Sequence, residues 1–155
     1  MSRFKTGVRY LKVNYNVNKD KRVVACHLVW GINMSKIPYI DMLIESDVFK
    51  NIVLPQGNVS LYENDSTGKL EYYITFETVG FADCCPEDEF DTDLGKKIAL
   101  TRAQRYAFTD AANFYNDCMN IMLNCGDRFS QLFDNCANAN ESCIDHIDKL
   151  ISVNI

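Results

Sequence analysis

Apolar and polar residues alternate over much of the first third of the chain, which is the period-two pattern of β-strands. In TGVRYLKVNYNV, Val8 and Tyr10 share one strand face, whereas Val13, Tyr15 and Val17 have the opposite parity. The alternation therefore slips near residues 11–12, which predicts a β-bulge. The polar turn NKDK and the apolar run RVVACHLVW follow. Together they predict an antiparallel hairpin with strands at residues 6–17 and 22–30.

A second hairpin is predicted from NVSLYE and KLEYYITFETVGFAD, because these runs flank the turn cluster NDSTG. One face of its second strand carries Leu70, Tyr72, Ile74, Phe76 and Thr78. Between the hairpins, SKIPYIDMLIESDVF has apolar residues at helical spacing after a proline. This spacing predicts a short helix at about residues 38–46.

The period lengthens to that of a helix after residue 92. Mostly small apolar residues recur every three or four positions and predict a helix of about 30 residues over 93–124; they are Leu100, Ala103, Ala107, Ala111, Phe114, Cys118, Ile121 and Cys125. Such a helix would be ~45 Å long, more than a compact domain of this size needs. Either it packs on the sheet of its own chain, or its far end packs on a second copy of the protein.

Gly126 is a typical residue to end the long helix. Beyond it, DRFSQLFDNCA and NANESCIDHIDKLISV predict two short helices, the second beginning near Asn140 or Ser142. Strands first and helices last indicate an α+β fold: an antiparallel β-sheet of two hairpins packed on one long helix plus two short helices. The 155 residues suit a single domain over 1–155, sheet-rich over 1–85 and helical over 91–152.

Composition narrows the classes of function. Hydrophobic residues make up 47% of the chain, so a folded core is expected. The net charge of -5 disfavours duplex nucleic-acid binding, although an acidic surface could approach a basic groove on another protein. We expect no membrane span, because no segment has the ~18 uninterrupted apolar residues that one needs. We also expect no secretory signal, because MSRFKTGVRY has no apolar run behind it. Seven cysteines, an odd number, predict free thiols.

Catalytic and metal-binding patterns are weak. Cys136, Cys143 and His146 could form part of a zinc site with one distant ligand, but the paired spacing of structural zinc sites is missing. There is no nucleophile elbow and no glycine-rich phosphate loop. Pairing of Cys85 with a histidine is the remaining hypothesis for a nucleophile. We therefore expect a protein that is not an enzyme, with no cofactor and no metal.

The joint CCPEDEFDTDLGKKIALTRAQRYA, residues 84–107, carries the most distinctive chemistry. Asp91 or Thr92 can cap the long helix, and its other acids suit the positive end of the helix dipole. Gly95, in the first turn, would allow another segment or a ligand to approach closely. The joint thus predicts at least a well-capped start of the helix.

A basic patch follows this start, with Lys97, Arg102 and Arg105 as candidate ligands of a phosphate. Phe81 precedes the joint and Phe90 lies near its start, and either ring could stack on a base. The alternative for the basic residues is ion pairing with the chain's own carboxylates, for example Asp93 with Lys97.

The joint resembles one found in small phage and prophage proteins. The resemblance covers about 30 residues and rests on Gly80, Ala82, Cys84, Pro86, Asp88, Phe90, Asp91, Gly95, Ala99, Arg102 and Ala103. The functional family that it resembles most is the Thoeris anti-defence proteins, phage oligomers that sequester a cyclic ADP-ribose immune signal. In that family arginines on the long helix bind phosphate, which would correspond here to Arg102 and Arg105.

This resemblance implies a non-enzymatic anti-defence protein in the cytoplasm of a host cell. It would bind a phosphate-bearing cyclic nucleotide or ADP-ribose-type signal between the subunits of a homo-oligomer. The alternative is a protein-binding inhibitor of a host defence effector, similar to an anti-CRISPR protein, whose acidic surface mimics nucleic acid. Neither hypothesis needs direct binding of duplex nucleic acid or of a membrane.

Overall fold

A four-stranded antiparallel sheet and one long helix form the protein in a computed structural model that describes residues 5–153. The strands are β1 (Val8–Asn18), β2 (Val23–Asn33), β3 (Asn58–Glu63) and β4 (Leu70–Asp83), in the order β1-β2-β4-β3. Between β2 and β3 lie α1 (Ile40–Leu43), two 3-10 turns (Met34–Lys36 and Leu54–Gln56) and one π turn (Phe49–Val53). The helix α2 spans Thr92–Val153. The α+β class and both hairpins are therefore confirmed.

The predicted bulge in β1 is also confirmed. The pairing of β1 with β2 shifts register between Tyr10 and Lys12. On one side of the shift Val8 pairs with Ile32, and on the other Val13 pairs with Leu28. Ile32 and Leu28 both lie on the buried face of β2, so the extra residue brings the two parities of β1 onto one face.

Aromatic rings fill the core between this face and α2. Trp30 stacks on Phe76 with 4.6 Å between ring centroids, and Phe114 of α2 contacts Phe76 edge-on at 5.9 Å. Phe49, from the segment between β2 and β3, contacts Phe114 from the other side at 6.4 Å. Residues 34–57 thus extend the core past the sheet. The helix predicted at 38–46 is shorter than expected, because Tyr39 at its start has a φ of 58° and the α-helical turn ends at Leu43.

Small residues let α2 lie directly on the sheet. Ala99, Ala103 and Ala107 are fully buried, and the hydroxyl of Thr78 donates to the carbonyl of Ala103 at 3.0 Å. A Cβ placed on Gly80 of β4 would lie 2.5 Å from the backbone nitrogen of Ala103. The small-residue part of the stripe therefore serves packing on the chain's own sheet.

The predicted end of the long helix at Gly126 is wrong, and so is the prediction of two separate short helices after it. The helix continues through Gly126 to Val153. A glycine lowers helix stability by only about 1 kcal/mol, and good helical sequence on both sides of it outweighs that loss. The chain divides into two units, Met1–Cys118 and Met119–Ile155, and α2 contributes residues to both. Organisation as a single domain stays a prediction.

No helix within residues 5–153 combines the length and the apolar character needed to cross a membrane.

Candidate functional site

The joint between β4 and α2 is held together by a well-formed helix start. The carboxylate of Asp91 accepts a hydrogen bond from the backbone N–H of Leu94 at 3.1 Å, and its carbonyl accepts one from Gly95 at 2.9 Å. Asp91 is therefore the N-cap, as one of the two sequence alternatives predicts. The close approach expected at Gly95 is made by the chain itself, since a Cβ there would lie 2.8 Å from Cγ2 of Val24.

Arg22, which the sequence analysis did not single out, organises the rest of the joint. Its guanidinium donates to the carbonyls of Cys85 and Asp88 and to the sulfur of Cys84, and it lies 5.9 Å from the ring centroid of Phe90. The backbone carbonyl of Arg22 accepts from the N–H of Cys84. A basic residue in the turn after β1 gives no local signal that it will bind a loop more than 60 residues later.

A cleft of about 290 Å³ lies between this loop and the first turns of α2. It is lined by Ala82, Asp83, Cys84, Cys85, Asp88, Glu89, Phe90, Asp91, Leu94, Gly95 and Ile98. Four of these residues are acidic, and the guanidinium of Arg22 next to them is already bound to backbone carbonyls. The local charge therefore disfavours a phosphate in this cleft.

Arg102 and Phe81 are in contact, but they are not arranged to bind the phosphate and the base of one nucleotide. The Arg102 guanidinium donates to the backbone carbonyl of Phe81 at 2.6 Å. The Phe81 side chain is 53% exposed and alternates with the buried Gly80 and Ala82, so it points to the sheet face opposite α2. Phe90 lines the cleft on the α2 side. The two phenylalanines thus lie on different faces of the sheet.

Lys97 and Arg105 are exposed on α2, eight residues or about 12 Å apart along its axis. Neither is in an ion pair with another described residue, and the expected pair between Asp93 and Lys97 does not form there. The structure thus shows no carboxylate of residues 5–153 in an ion pair with Lys97 or Arg105. Of the five candidate residues, Arg102 and Phe81 are in direct contact, and Phe90 lines the cleft.

No three His, Cys, Asp or Glu side chains are placed to hold a metal ion anywhere in residues 5–153. His27, on the sheet, lies 3.1 Å from the Glu77 carboxylate, and both side chains are partly exposed. His146 is exposed on α2. Within the described chain neither histidine is hydrogen-bonded to Cys85.

A second surface, the β3 groove, is more accessible than the joint. It is an apolar groove of about 560 Å³ lined by Met34, Ser35, Ile40, Ile44, Leu54, Val59, Leu70, Glu71 and Tyr72. β3 is an edge strand of the sheet, and residues 59–62 make no backbone hydrogen bond to any described segment other than β4. Leu70, Tyr72 and Val59 are largely exposed. The apolar side chains of the groove, mostly from β4 and the β2–β3 connection, therefore lie beside an edge strand with no main-chain partner among the described residues on its outer side.

Glu71 provides a fixed charge at this groove. Its carboxylate accepts hydrogen bonds from the side chains of Asn33, Asn64 and Ser35. The bond from Asn33, followed by the bond from Asn64, lowers the pKa of the Glu71 carboxyl below its usual value. An ionised carboxylate is thus held in place by two loops that are far apart in sequence.

Arg9 closes the network beside it. The guanidinium of Arg9 contacts the carboxylate of Asp65 and the carbonyl of Glu63, and it lies over the Tyr73 ring. Period-two reasoning finds the strands but not these contacts, because they join residues more than 50 positions apart.

Comparison with known proteins adds no assignment, because no family model, curated protein or solved structure matches this chain.

Proposed function

We propose that this chain is a non-enzymatic binding protein that holds an extended segment of a partner protein along the outer edge of β3. The observation that carries the proposal is the uncovered edge of β3 beside the β3 groove. Added strands gain affinity from main-chain hydrogen bonds and specificity from pockets for alternate side chains. An exposed apolar edge is otherwise a liability that proteins cover or charge.

The chemistry of the surface defines the segment that fits it. Val59, Leu70 and Tyr72 favour apolar side chains at alternate positions of the bound segment. The ionised Glu71 favours a basic residue at the end that reaches it. The partner would then be a host defence effector, as in the alternative to nucleotide sequestration, bound in the host cytoplasm and inhibited by occupancy rather than by chemistry.

Two substitutions at exposed leucines provide the test. Leu70→Asp places a charge in the groove, whereas Leu94→Asp places the same charge in the first turn of α2, where the helix dipole tolerates it. Cells that carry candidate defence systems would express each variant and then be challenged with phage. We expect Leu70→Asp to abolish protection of the phage and co-purification of the effector, and Leu94→Asp to retain both.

A peptide experiment tests the binding mode. Overlapping 15-residue peptides of the co-purified effector would be titrated by fluorescence anisotropy. In the peptide that binds, N-methylation of alternate backbone amides should weaken binding at least tenfold for one parity and little for the other. Equal effects at both parities, or binding that Leu70→Asp does not change, would exclude strand addition at β3.

A second function is favoured by one observation, the exposed Lys97 and Arg105, which pair with no described carboxylate. We propose, as the alternative, that these two residues contribute to sequestration of a phosphate-bearing cyclic nucleotide or ADP-ribose-type signal. Isothermal titration with such nucleotides would then show binding that Lys97→Ala with Arg105→Ala removes and Leu70→Asp leaves intact. Leu70→Asp should therefore affect only binding of a partner protein, and the double variant of Lys97 and Arg105 only binding of a nucleotide.

A further inference from the structure

Residues 122–149 of α2 carry a seven-residue repeat. In a heptad labelled a to g with Met122 at a, the a and d positions are apolar or small except for His146: Met122, Cys125, Phe129, Leu132, Cys136, Ala139, Cys143 and His146. Every f position is acidic: Asp127, Asp134, Glu141 and Asp148. A sustained period of 3.5 residues with charge on the opposite side is the pattern of coiled coils.

This part of the helix is exposed. All residues from 126 to 152 are exposed, including the large apolar side chains of Phe129 and Leu132. In water, isolated helices gain little from propensity alone, and most helical stability in proteins comes from packing of an apolar face. The stripe of a and d positions, called here the seam, therefore needs a partner.

We propose that the seam pairs two copies of this chain in a parallel, in-register, two-stranded coiled coil. A second copy presents the same 3.5-residue spacing, so each a and d side chain finds a matching gap on the facing helix. In that arrangement the acidic f positions of the two helices lie on the outside, as far apart as the geometry permits. A basic groove on a foreign protein would instead select the acidic f face and leave the seam exposed.

The size of the seam suits a dimer. Twenty-eight residues span ~42 Å, and a helix with side chains is ~12 Å wide, so two copies cover on the order of 1,000 Å². This area is about the lower limit for a specific interface. The small residues Cys136 and Ala139 in the middle of the seam weaken it, and we expect dissociation in the micromolar range rather than a permanent dimer.

The seam cysteines report the orientation of the two helices. In a parallel pair, a positions face each other, so Cys136 meets Cys136 and Cys143 meets Cys143. Helix axes 8–10 Å apart bring facing Cα atoms to about 5 Å, within the range for a disulfide. In an antiparallel pair centred on the seam, Met122 faces His146, so Cys136 would face Leu132 and Cys143 would face Cys125, and the two homotypic disulfides could not form.

Sedimentation equilibrium of the full chain provides the first test. Leu132 at d and Leu123 at b are both 59% exposed, so they form a matched pair. We expect wild type to reach twice 17.7 kDa at tens of micromolar, Leu132→Glu to raise the dimer Kd at least 100-fold, and Leu123→Glu to change it less than threefold. His146→Leu should lower the Kd without any loss of folding, which keeps the test valid if Leu132→Glu misfolds.

Oxidative cross-linking provides the second test. An equal mixture of ¹⁴N- and ¹⁵N-labelled chain would be oxidised with diamide, which takes up the two protons and two electrons that a pair of thiols releases on forming a disulfide. We expect Cys136–Cys136 and Cys143–Cys143 peptides as isotopic triplets. A monomer at 100 µM, a trimer or tetramer, a dimer insensitive to the seam variants, or a dimer without these peptides would each overturn the proposal.

Discussion

Replacing Gly80 with alanine should separate α2 from the sheet, although alanine is the smallest possible addition. The new Cβ would lie 2.5 Å from the backbone nitrogen of Ala103 and 3.1 Å from the carbonyl carbon of Arg102, and closer still to the carbonyl oxygen of Ala99. These are backbone atoms of a helix, so no side chain can rotate away. Ordinary contact begins at 3.4 Å, and α2 would have to retreat by about 0.9 Å or more.

The expected loss follows from what that retreat breaks. Overpacking of this kind lowers the free energy of unfolding by about 1–3 kcal/mol. The hydrogen bond from Thr78 to the Ala103 carbonyl, 3.0 Å long and buried, contributes about 1 kcal/mol more. The better strand propensity of alanine offsets roughly 0.5–1 kcal/mol. We therefore expect a net loss of about 2–3 kcal/mol, a large part of the stability of a chain of this size.

The same substitution at two other glycines provides the controls. Nothing lies within 4 Å of a Cβ on Gly126, in the middle of a helix, so Gly126→Ala should stabilise by about 0.5–1 kcal/mol. Gly95→Ala meets only the Val24 side chain and should be intermediate. Urea denaturation at one protein concentration, followed by circular dichroism, gives the three values. A Gly80→Ala variant within 0.5 kcal/mol of wild type would refute the packing argument.

Three further predictions concern polar groups. Arg22→Ala should lower the free energy of unfolding by about 1–3 kcal/mol and expose the 84–91 loop to protease, because the bonds to the loop carbonyls are lost; an unchanged cleavage rate would contradict this. Because the pKa of Glu71 is lowered in the folded protein, its carboxylate stabilises the fold at pH values above the ordinary pKa of 4.5, and this stability is lost as the pH falls through the folded-state pKa. Glu71→Gln should therefore make the free energy of unfolding less dependent on pH between pH 6 and pH 2.5. Burial, together with the charge of Asp117, raises the pKa of Cys118 to about 11, so iodoacetamide at pH 8 should label it about 100-fold more slowly than a thiol of ordinary pKa 9.0 until the chain unfolds.

Period-two patterns predicted both hairpins and the bulge because those features depend on neighbouring residues. The sheet order was not predicted. β2 and β4 are the central pair, in which Cys26 opposite Gly80 completes the face that receives α2. The pairing of β2 with β4 joins residues 40 to 60 positions apart and leaves no periodic trace in either strand. Together with the two hairpins, this pairing makes β1 and β3 the edge strands.

At Gly126 a strong local signal gave a wrong prediction, because the helix continues through the glycine. A glycine after a long apolar stripe is the usual sign of a helix end, but the heptad spacing of Phe129 and Leu132 continues on the far side of it. The repeat is visible only when the sequence is read through the glycine. The contacts of the candidate site residues could not be predicted from the sequence either. Arg102, for example, binds the carbonyl of Phe81, a backbone atom that no pattern of side chains reveals.

The contacts of three arginines favour a protein partner over a free anion. Arg9, Arg22 and Arg102 each donate to backbone carbonyls of their own chain, so their guanidinium groups stabilise the fold and are not available to a phosphate without breaking it. Apolar side chains, in contrast, remain exposed in the β3 groove and along the seam. Burial of such surface is the main driving force of association between proteins, whereas a small phosphate ligand would cover little of it. Because the groove and the seam belong to different units, a seam variant that is monomeric should still bind a single partner segment at β3.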